Sequence, residues 1–292
     1  MSSRRRNKEK HLLAGVFGYS SERVFNMERS VEEDVRRLLL TTDDNSRNSA
    51  YEKGYEKLHA FFQENRKMLP EQEFLYEPLT DRALSFKRTI CKIVGKNKKV
   101  LEVGCGDGIL SLAIALQGNN VIGADISDLC VSIADMNRQK LNLKPENVHF
   151  LQMSASKINF ADKTFDFVIS HDLLEHLHPS DALLHLSEVH RVLKVGGIYI
   201  CVTPNRYLGF SIPAHLKEYT YHELGELMET FGFSNFRSTL LFHGFALNCI
   251  VPVTIKLPLE QVFRKFTNMY FIPTTLWNLL GLGYIFIICS KM

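Results

Sequence analysis

The chain has 292 residues, of which 45% are hydrophobic and 23% are charged, a composition typical of a folded globular protein. Its 35 lysines and arginines nearly balance 32 acidic residues, and the net charge of +3 indicates no nucleic-acid partner. Six cysteines lie far apart without a C-x-x-C pair. This spacing predicts reduced, buried thiols in a cytoplasmic protein and argues against a disulfide or zinc framework.

The N-terminal segment is polar and basic. Its Arg4–Arg6 run precedes no apolar segment of the kind found in a secretory signal. The longest apolar stretch, 239–255, is interrupted by His243, Asn248 and Pro252. We therefore expect a solvated basic tail and no membrane-spanning helix.

The first third of the chain is predicted to be helical. A capping-box pattern at Ser30–Glu33 opens a helix that runs towards Leu40. A polar linker at 41–49 follows. Two further helices are predicted, at 51–68 and from Pro78 to Val94.

Beyond residue 97, short apolar strands alternate with helices. This alternation predicts a parallel sheet with helices on both faces. We interpret 1–47 as a basic, partly disordered tail with one short helix, 48–96 as a helical lid and 97–292 as one α/β domain. The predicted strands are KKVLEVG, NNVIGAD, NVHFLQM, FDFVIS, IYICVT, FSNFRSTLLF and GYIFIICSKM. The predicted helices of the domain are 109–116, 127–140, 179–193 (ended by Gly196-Gly197) and 221–231.

The first strand runs into a loop with glycine at every second position, Gly104, Gly106 and Gly108. Ligands of open parallel sheets bind beyond the carboxyl ends of the strands, and glycine lets the backbone approach them closely. The N–H groups of the loop and of the next helix suit a negatively charged or electron-rich group. A dinucleotide fingerprint would need its third glycine at Ile109, so the spacing argues against an NAD-linked dehydrogenase.

Asp125 closes the second strand beside this loop. Its carboxylate can accept two hydrogen bonds from the hydroxyls of a ribose. The alternative is a structural role at the start of the helix that follows Ser127. The glycine loop favours the ribose interpretation.

Four motifs occur in order between residues 98 and 242: VLEVGCGDG, GAD, FDFVISHDLLEHL and RVLKVGGIYICVTPNR. Together they resemble the class I S-adenosylmethionine-dependent methyltransferases, and most closely the broad subgroup that includes the ubiquinone-pathway O-methyltransferases. The resemblance implies S-adenosylmethionine as cofactor. It also implies a Rossmann-like, seven-stranded, mostly parallel sheet whose last strand is antiparallel and inserted beside the sixth.

The resemblance also implies which residues bind the cofactor. Glu102 would orient the loop and the cofactor's amino group, Asp125 would hold the ribose, and Ile126 would pack on the adenine. Ser154 stands where many relatives have an aspartate that accepts a bond from the adenine amino group. Ser170 and the residue after it would lie near the methionine end. The full set is Glu102, Gly104, Cys105, Gly106, Gly108, Asp125, Ile126, Ser154, Ala155, Ser170 and His171.

Methyl transfer from a sulfonium needs alignment and exclusion of water, and it needs a base only when the acceptor must lose a proton. The segments that follow the fourth and fifth strands are expected to face the acceptor. The candidate bases or acceptor contacts are His171, Asp172, His215 and Tyr219. Anchoring of the loops is the alternative for each of them.

Glu175 and His176 match an L-E-H motif of the family, and we interpret them as mostly structural. A metal site built from His171, Asp172 and His176 is an alternative, but no second cluster supports it. We therefore assign no metal.

The acceptor is expected to be chosen by the parts outside the shared core. Tyr51, Tyr55, Phe61 and Phe62 give the predicted lid an aromatic face. An insertion at 243–281, rich in apolar and aromatic residues, is too long for a simple hairpin connection. It could form a pocket wall, a homodimer surface or a face for peripheral membrane contact.

The sequence thus predicts a methyltransferase that acts on a small, partly apolar acceptor, with oxygen favoured as the methylated atom. One alternative is a lipid-linked or quinone-type acceptor at a membrane surface. Another is a protein that binds S-adenosylmethionine without turnover.

Overall fold

The computed structural model describes residues 22–65, 82–206, 212–242, 245–252 and 284–292. Contacts divide the chain into two compact units. The first unit contains two described helices, and the second contains the sheet with its flanking helices. Among the described helices, none is long and apolar enough to cross a membrane.

In the described residues, the first unit comprises α1, Glu22–Thr41, and α2, Arg47–Asn65. The two helices pack closely at Gly54. A Cβ added to this glycine would lie only 3.1 Å from Cγ1 of Val35 on the other helix. An ion pair of 2.9 Å between Lys57 and Asp34 also joins them. The aromatic side chains predicted for the lid lie on α2, where Tyr51 and Phe61 are buried and Tyr55 and Phe62 are half-buried.

The predicted start of the first helix at Ser30 is wrong, because α1 already begins at Glu22. Residues 22–29 include no proline or glycine, so nothing interrupts the helix there. The predicted linker 41–49 is also too long, since α2 begins at Arg47. A tight turn at Asp43 accounts for the short linker. Oδ1 of Asp43 accepts the N–H groups two and three residues later, at 3.0 and 3.1 Å.

The second unit is built on a sheet with eight strands among its described residues. The strands are β1, Lys99–Val103; β2, Asn120–Asp125; β3, Val148–Gln152; β4, Phe165–His171; β5, Leu193–Pro204; β6, Phe233–Phe242; β7, Phe245–Pro252; and β8, Tyr284–Lys291. Their order is β3-β2-β1-β4-β5-β8-β6-β7. The first five strands are parallel, and β8 is antiparallel to both β5 and β6. The predicted Rossmann-like sheet, with its last strand beside the sixth, is confirmed.

One further strand, β7, falls inside the predicted insertion 243–281. It pairs with β6 in antiparallel fashion, from Phe245 opposite Phe242 to Pro252 opposite Arg237. The insertion therefore begins by extending the sheet rather than leaving it. The rest of the predicted insertion, 253–281, lies outside the described residues.

Helices of the second unit follow the predicted pattern. They are α3, Arg82–Val94; α4, Ile109–Ala115; α5, Asp128–Lys140; α6, Pro179–Val192; and α7, Tyr221–Thr230, with a 3₁₀ turn at Leu174–His176. Ser127 is the predicted cap of α5, and its hydroxyl accepts the N–H of Cys130 at 3.4 Å. The predicted start of α3 at Pro78 lies outside the described residues.

The predicted end of α6 at 193 is correct within one residue, but the predicted start of β5 is wrong. The strand was expected at 198–203, after the glycine pair at 196–197, whereas it begins at Leu193, directly after α6 ends at Val192. At this junction the ammonium group of Lys291 donates to the carbonyls of His190 at 2.7 Å and Leu193 at 3.0 Å. A cation on the last carbonyls satisfies them where the helix stops.

Apolar side chains alternate between two cores, one on each face of the sheet. Leu101 and Val168 belong to one core, and their chain neighbours Val100 and Phe167 belong to the other. Strands buried on both faces read as continuous apolar runs, as these do. The site must therefore lie at an edge of the sheet, because helices cover its faces.

Replacing Gly108 with alanine should destabilise the second unit. Gly108 has φ 79°, and an added Cβ would lie 2.7 Å from both Ala134 and Phe150. We expect a loss of about 2–4 kcal/mol in the free energy of unfolding, measured by urea denaturation. Gly225→Ala is the control, since it meets no atom within 4 Å in α7 and should stabilise by about 1 kcal/mol. Equal effects of the two substitutions would contradict this interpretation.

Candidate functional site

The carboxyl ends of four parallel strands meet at one edge of the sheet. Val103 lies opposite Ala124 on β2 and opposite Ser170 on β4, and His171 lies opposite Val202 on β5. The strand order reverses between β1 and β4, because later strands are added on opposite sides of β1. Open α/β sheets bind ligands at such a point. The loops after β1, β2 and β4 therefore form the candidate site.

The glycine loop, residues 104–108, turns at the end of β1. Gly106 has φ 53°, and an added Cβ there would meet no described atom within 4 Å. Its N–H donates to Oδ2 of Asp125 at 2.9 Å. The two preceding N–H groups donate to the carbonyl of Ala124 at 2.8 and 3.0 Å. The loop is thus fastened to the end of β2 with open space beside its backbone.

Asp125 occupies the centre of these contacts. Its Oδ2 accepts the loop N–H, its Oδ1 accepts the N–H of Ser127 at 3.0 Å, and the residue is 7% exposed. Each carboxylate oxygen has a further lone pair, so the two oxygens can together accept bonds from a diol. The cap of α5 is supplied by the Ser127 hydroxyl. Asp125 also accepts the N–H of this cap residue, so the alternative structural role at the start of α5 is compatible with the structure.

Glu102 lies behind the loop with only 3% of its surface exposed. It accepts a hydrogen bond from the hydroxyl of Ser111 at the start of α4. Burial raises the pKa of Glu102 to about 7, although the Ser111 bond and the charge of Lys87 oppose the shift. Glu102 is thus a buried acid that changes charge near neutral pH. Cys105, also buried, has a pKa raised well above its ordinary value by burial.

The segment after β3 runs beside the end of β2. The N–H of Met153 donates to the carbonyl of Asp125 at 2.8 Å, which brings the residues predicted for adenine next to those predicted for ribose. Ile126 is half-buried there. The Ser154 hydroxyl lies 3.0 Å from that of Ser156 and accepts its N–H at 3.3 Å. A bond to adenine from Ser154 would therefore compete with this local turn.

Family comparison agrees with this geometry. Residues 101–201, which include the glycine loop, Asp125 and the end of β4, match the family model described as a methyltransferase domain. This segment of the chain is therefore similar to the methyltransferase domains of S-adenosylmethionine-dependent enzymes. The methyl donor of this family is S-adenosylmethionine.

Two curated relatives of the methyltransferase domain illustrate the likeness. A probable S-adenosylmethionine-dependent methyltransferase from Mycolicibacterium smegmatis is 31% identical over 169 residues, which are 56% of this chain and 61% of that protein. A ubiquinone biosynthesis O-methyltransferase from Cereibacter sphaeroides is 32% identical over 108 residues, which are 37% of this chain and 42% of that protein. The chain thus covers less than two thirds of the length of these relatives.

Solved structures share the fold of the methyltransferase domain. A methyltransferase from Thermotoga maritima is 18% identical with a TM-score of 0.52, covering 83% of this chain and 98% of that chain. The [4+2]-cyclase SpnF is 20% identical with a TM-score of 0.51, covering 71% of this chain and 80% of that chain. At these identities the likeness concerns the fold alone.

His171 and Asp172, which were predicted as candidate bases or acceptor contacts, lie directly at the end of β4. Asp172 adopts φ 53°, and its N–H donates to the carbonyl of Val202 at 2.9 Å. Its Oδ2 lies 3.5 Å from Nδ1 of His171. Burial lowers the pKa of His171 below its ordinary value, and the charge of Asp172 opposes this shift. The His171 imidazole is therefore neutral near pH 7 and can accept a proton.

The 3₁₀ turn after β4 brings a second group of side chains together. Glu175 is fully buried: its Oε2 accepts the hydroxyl of Thr203 at 2.8 Å, and its Oε1 has no hydrogen-bond partner among the described residues. Burial, reinforced by the charge of Asp172, raises the pKa of Glu175 well above its ordinary value. The rings of His176 and His215 meet edge to face, 4.9 Å apart. We call Glu175, His176 and His215 the Glu175 cluster.

His215 is oriented within the Glu175 cluster by Glu218. Its Nδ1 lies 2.8 Å from Oε1 of Glu218, a carboxylate that can only accept, so Nδ1 carries the proton. The loop is also held by its backbone, because two N–H groups, at 216 and 217, donate to the carbonyl of Glu175 at 2.7 and 3.1 Å. Glu218 and the carbonyl of Glu175 thus fix the position of His215 and its loop.

Tyr219, the fourth candidate base, lies in a different environment. It is 1% exposed and belongs to the same apolar core as Tyr221. Burial raises its pKa above the ordinary value, and Lys217 lies 4.8 Å over its ring. These contacts favour anchoring of the loop over contact with an acceptor.

The Glu175 cluster also has the donor types of a metal site. One ligand atom each from Glu175, His176 and His215 lies within 4.8 Å of the others. Two imidazoles and a carboxylate could hold one divalent cation. These three donors differ from the metal site considered from the sequence, which consisted of His171, Asp172 and His176. Only His176 belongs to both.

Sequence reasoning missed one charged residue near the site. The interpretation of Glu175 and His176 as mostly structural stays a prediction. Lys87 on α3 exerts its charge on both Glu102 and His171. No motif surrounds Lys87, so no sequence signal singled it out.

Glu102 predicts a pH dependence of stability. Its pKa is about 7 in the folded chain and near the ordinary 4.5 when unfolded, so the folded state binds more protons between these values. The stability of the wild type should therefore fall as pH rises from 4.5 to 7, by about 3 kcal/mol relative to Glu102→Gln. Urea denaturation of both proteins across this range, without cofactor, measures the difference. Parallel curves would show that Glu102 has an ordinary pKa.

Proposed function

We propose that this chain transfers the methyl group of S-adenosylmethionine to a small, partly apolar acceptor, at an oxygen atom. The observation that carries the proposal is the carboxylate of Asp125 fastened to the glycine loop at the point where the strand order reverses. The likeness to a ubiquinone biosynthesis O-methyltransferase supports oxygen as the methylated atom.

The cofactor would be held at the edge of the sheet by groups from three strands. Asp125 binds the ribose hydroxyls, the backbone of Gly106 approaches the methionine portion, and Ile126 packs on the adenine. The segment 153–155 borders the adenine, and His171 borders the methionine end. When bound, S-adenosylmethionine supplies a methyl group activated on a sulfonium sulfur. The surrounding protein positions the acceptor and excludes water.

Removal of the acceptor's proton is assigned to His215. Its Nδ1 lies 2.8 Å from Oε1 of Glu218, and a base oriented by a third group is a recurring catalytic arrangement. His171 and Asp172 lie at the end of β4. They are proposed to contact the acceptor and the methionine end of the cofactor. Tyr219 is proposed to anchor the acceptor-side loop.

Two other functions predict different behaviour. A lipid-linked or quinone-type acceptor would be methylated only when presented in vesicles, whereas a water-soluble acceptor would not require them. A protein that binds S-adenosylmethionine without turnover would form no S-adenosylhomocysteine with any acceptor. The [4+2]-cyclase of the same fold shows that the architecture by itself does not fix the reaction. Mass spectrometry of S-adenosylhomocysteine, with a panel of phenols, quinols and hydroxy acids, separates these outcomes.

Asp125→Asn should weaken the binding of S-adenosylhomocysteine about 10- to 100-fold, measured by isothermal titration calorimetry. The substitution removes an ionised acceptor, whose hydrogen bonds contribute about 1.5–3 kcal/mol. Asp128→Asn is the matched control, because Asp128 is an exposed acid in the first turn of α5. An unchanged dissociation constant for Asp125→Asn would remove the ribose assignment. Absence of binding by the wild type would remove the proposed function.

His215→Ala should lower the rate of methyl transfer by about 100-fold and leave the affinity for S-adenosylhomocysteine within about twofold. General bases contribute about 10²- to 10⁴-fold to rates. His222→Ala is the control, since His222 also pairs with a glutamate, Glu226, at 3.2 Å, but on an exposed face of α7. A wild-type rate for His215→Ala would exclude it as the base.

A divalent cation at the Glu175 cluster is a second candidate mechanism, favoured by the convergence of its three donor atoms. Such a cation would lower the pKa of an acceptor hydroxyl as a Lewis acid. Electron paramagnetic resonance of added Mn²⁺ distinguishes the two mechanisms without an assay of activity. Stoichiometric binding that is lost in Glu175→Gln supports the cation. Equal, weak binding by both proteins leaves His215 as the base.

A further inference from the structure

A buried histidine on α6 joins two parts of the candidate site. His185 has no exposed surface, and it lies on the face of α6 that packs against the sheet. Its Nδ1 is 3.0 Å from the carbonyl oxygen of Ala155, and its Nε2 is 3.0 Å from the hydroxyl of Ser170. The hydroxyl of Tyr199 lies at the longer distance of 3.4 Å from Nε2. One ring thus bridges the segment after β3 and the end of β4.

The partners determine which nitrogen of His185 carries the proton. A carbonyl oxygen can only accept, so Nδ1–H donates to Ala155, and Nε2 then accepts from the hydroxyl of Ser170. Burial lowers the pKa of His185 to about 4, which keeps the ring in this neutral form under ordinary conditions. The ring therefore forms a fixed hydrogen-bonded bridge. Its Nδ1 donates on one side, and its Nε2 accepts on the other.

Both hydrogen-bond partners of the His185 ring are residues proposed to border the bound cofactor. Ala155 belongs to the segment that borders the adenine. Ser170 immediately precedes His171, at the methionine end. Ser170 is itself fully buried. Its side chain bonds to His185, while its backbone lies at the edge of the site. A leucine would fill a similar volume without the cost of burying polar groups, but it would leave both partners unbonded.

We propose that His185 is a positioning residue that sets the distance between the adenine side and the methionine side of the cofactor site. This inference rests on the proposed function, because it requires that the site bind S-adenosylmethionine. His185 touches neither the cofactor nor the reacting atoms. It acts through Ala155 on one side and through Ser170 on the other.

Two substitutions separate the two bonds. In His185→Asn the amide nitrogen takes the place of Nδ1, so the bond to Ala155 is kept and the bond to Ser170 is lost. In His185→Gln the longer side chain places its amide near Nε2, so the bond to Ser170 is kept and the bond to Ala155 is lost. The probes are S-adenosylhomocysteine and 5′-methylthioadenosine, which has the adenine and ribose but lacks the amino-acid portion.

His185→Gln should weaken the binding of both probes about tenfold, since the adenine side is released. His185→Asn should weaken S-adenosylhomocysteine about tenfold and leave 5′-methylthioadenosine within about twofold, since only the methionine side is released. Calorimetry measures both dissociation constants. His190→Asn and His190→Gln are matched controls on α6, where the half-buried ring packs on Phe233 and not on the site. The controls should not alter either constant.

A purely structural role would shift both probes equally in both His185 variants, and that result would overturn the proposal. So would wild-type constants for both variants. If a variant fails to fold, Ser170→Ala replaces His185→Asn, because it removes the same bond from the other side and carries the same expectation. Failure of the wild type to bind S-adenosylhomocysteine would instead indicate that the proposed function is wrong.

Discussion

The hydrogen bond from the Gly106 N–H to the carboxylate of Asp125 is the contact on which the site depends. It joins the loop after β1 to the end of β2, and it forms only because Gly106 adopts a left-handed backbone with no side chain in the adjoining space. The same carboxylate also accepts the N–H of Ser127, the cap residue of α5. A single acid therefore joins the loop to the start of the helix, at the position proposed for the sugar.

Buried acids at this edge have two kinds of hydrogen-bond partner. Asp125 accepts two backbone N–H groups. Glu102 and Glu175 each accept one described side-chain hydroxyl, from Ser111 and Thr203, and burial raises the pKa of both. Glu102 thus joins β1 to α4, and Glu175 joins the 3₁₀ turn to β5.

The sequence predicted the parallel strands and the glycine loop because each depends on local spacing: apolar runs of strand length, glycine at fixed positions and an acid at a strand end. The place of the last strand beside the sixth was predicted from the resemblance to the methyltransferases, not from spacing. It did not predict the start of α1, because a capping-box pattern within a continuous helix is indistinguishable from one at its end. It also missed His185, which looks like any histidine of an amphipathic helix. The role of His185 depends on Ala155 and Ser170, which lie 30 and 15 residues away along the chain.

The two parts of the candidate site are held by different kinds of contact. In the part proposed for the cofactor, side chains bind backbone groups: Asp125 accepts the N–H of Gly106, and His185 bonds to the carbonyl of Ala155. In the part proposed for the acceptor, side chains bind one another: Glu175 bonds to Thr203 on β5, and Glu218 bonds to His215. A substitution in the Glu175 cluster can therefore alter the proposed acceptor part without removing a contact of the glycine loop. For this reason we propose to look for the determinants of the acceptor around the Glu175 cluster.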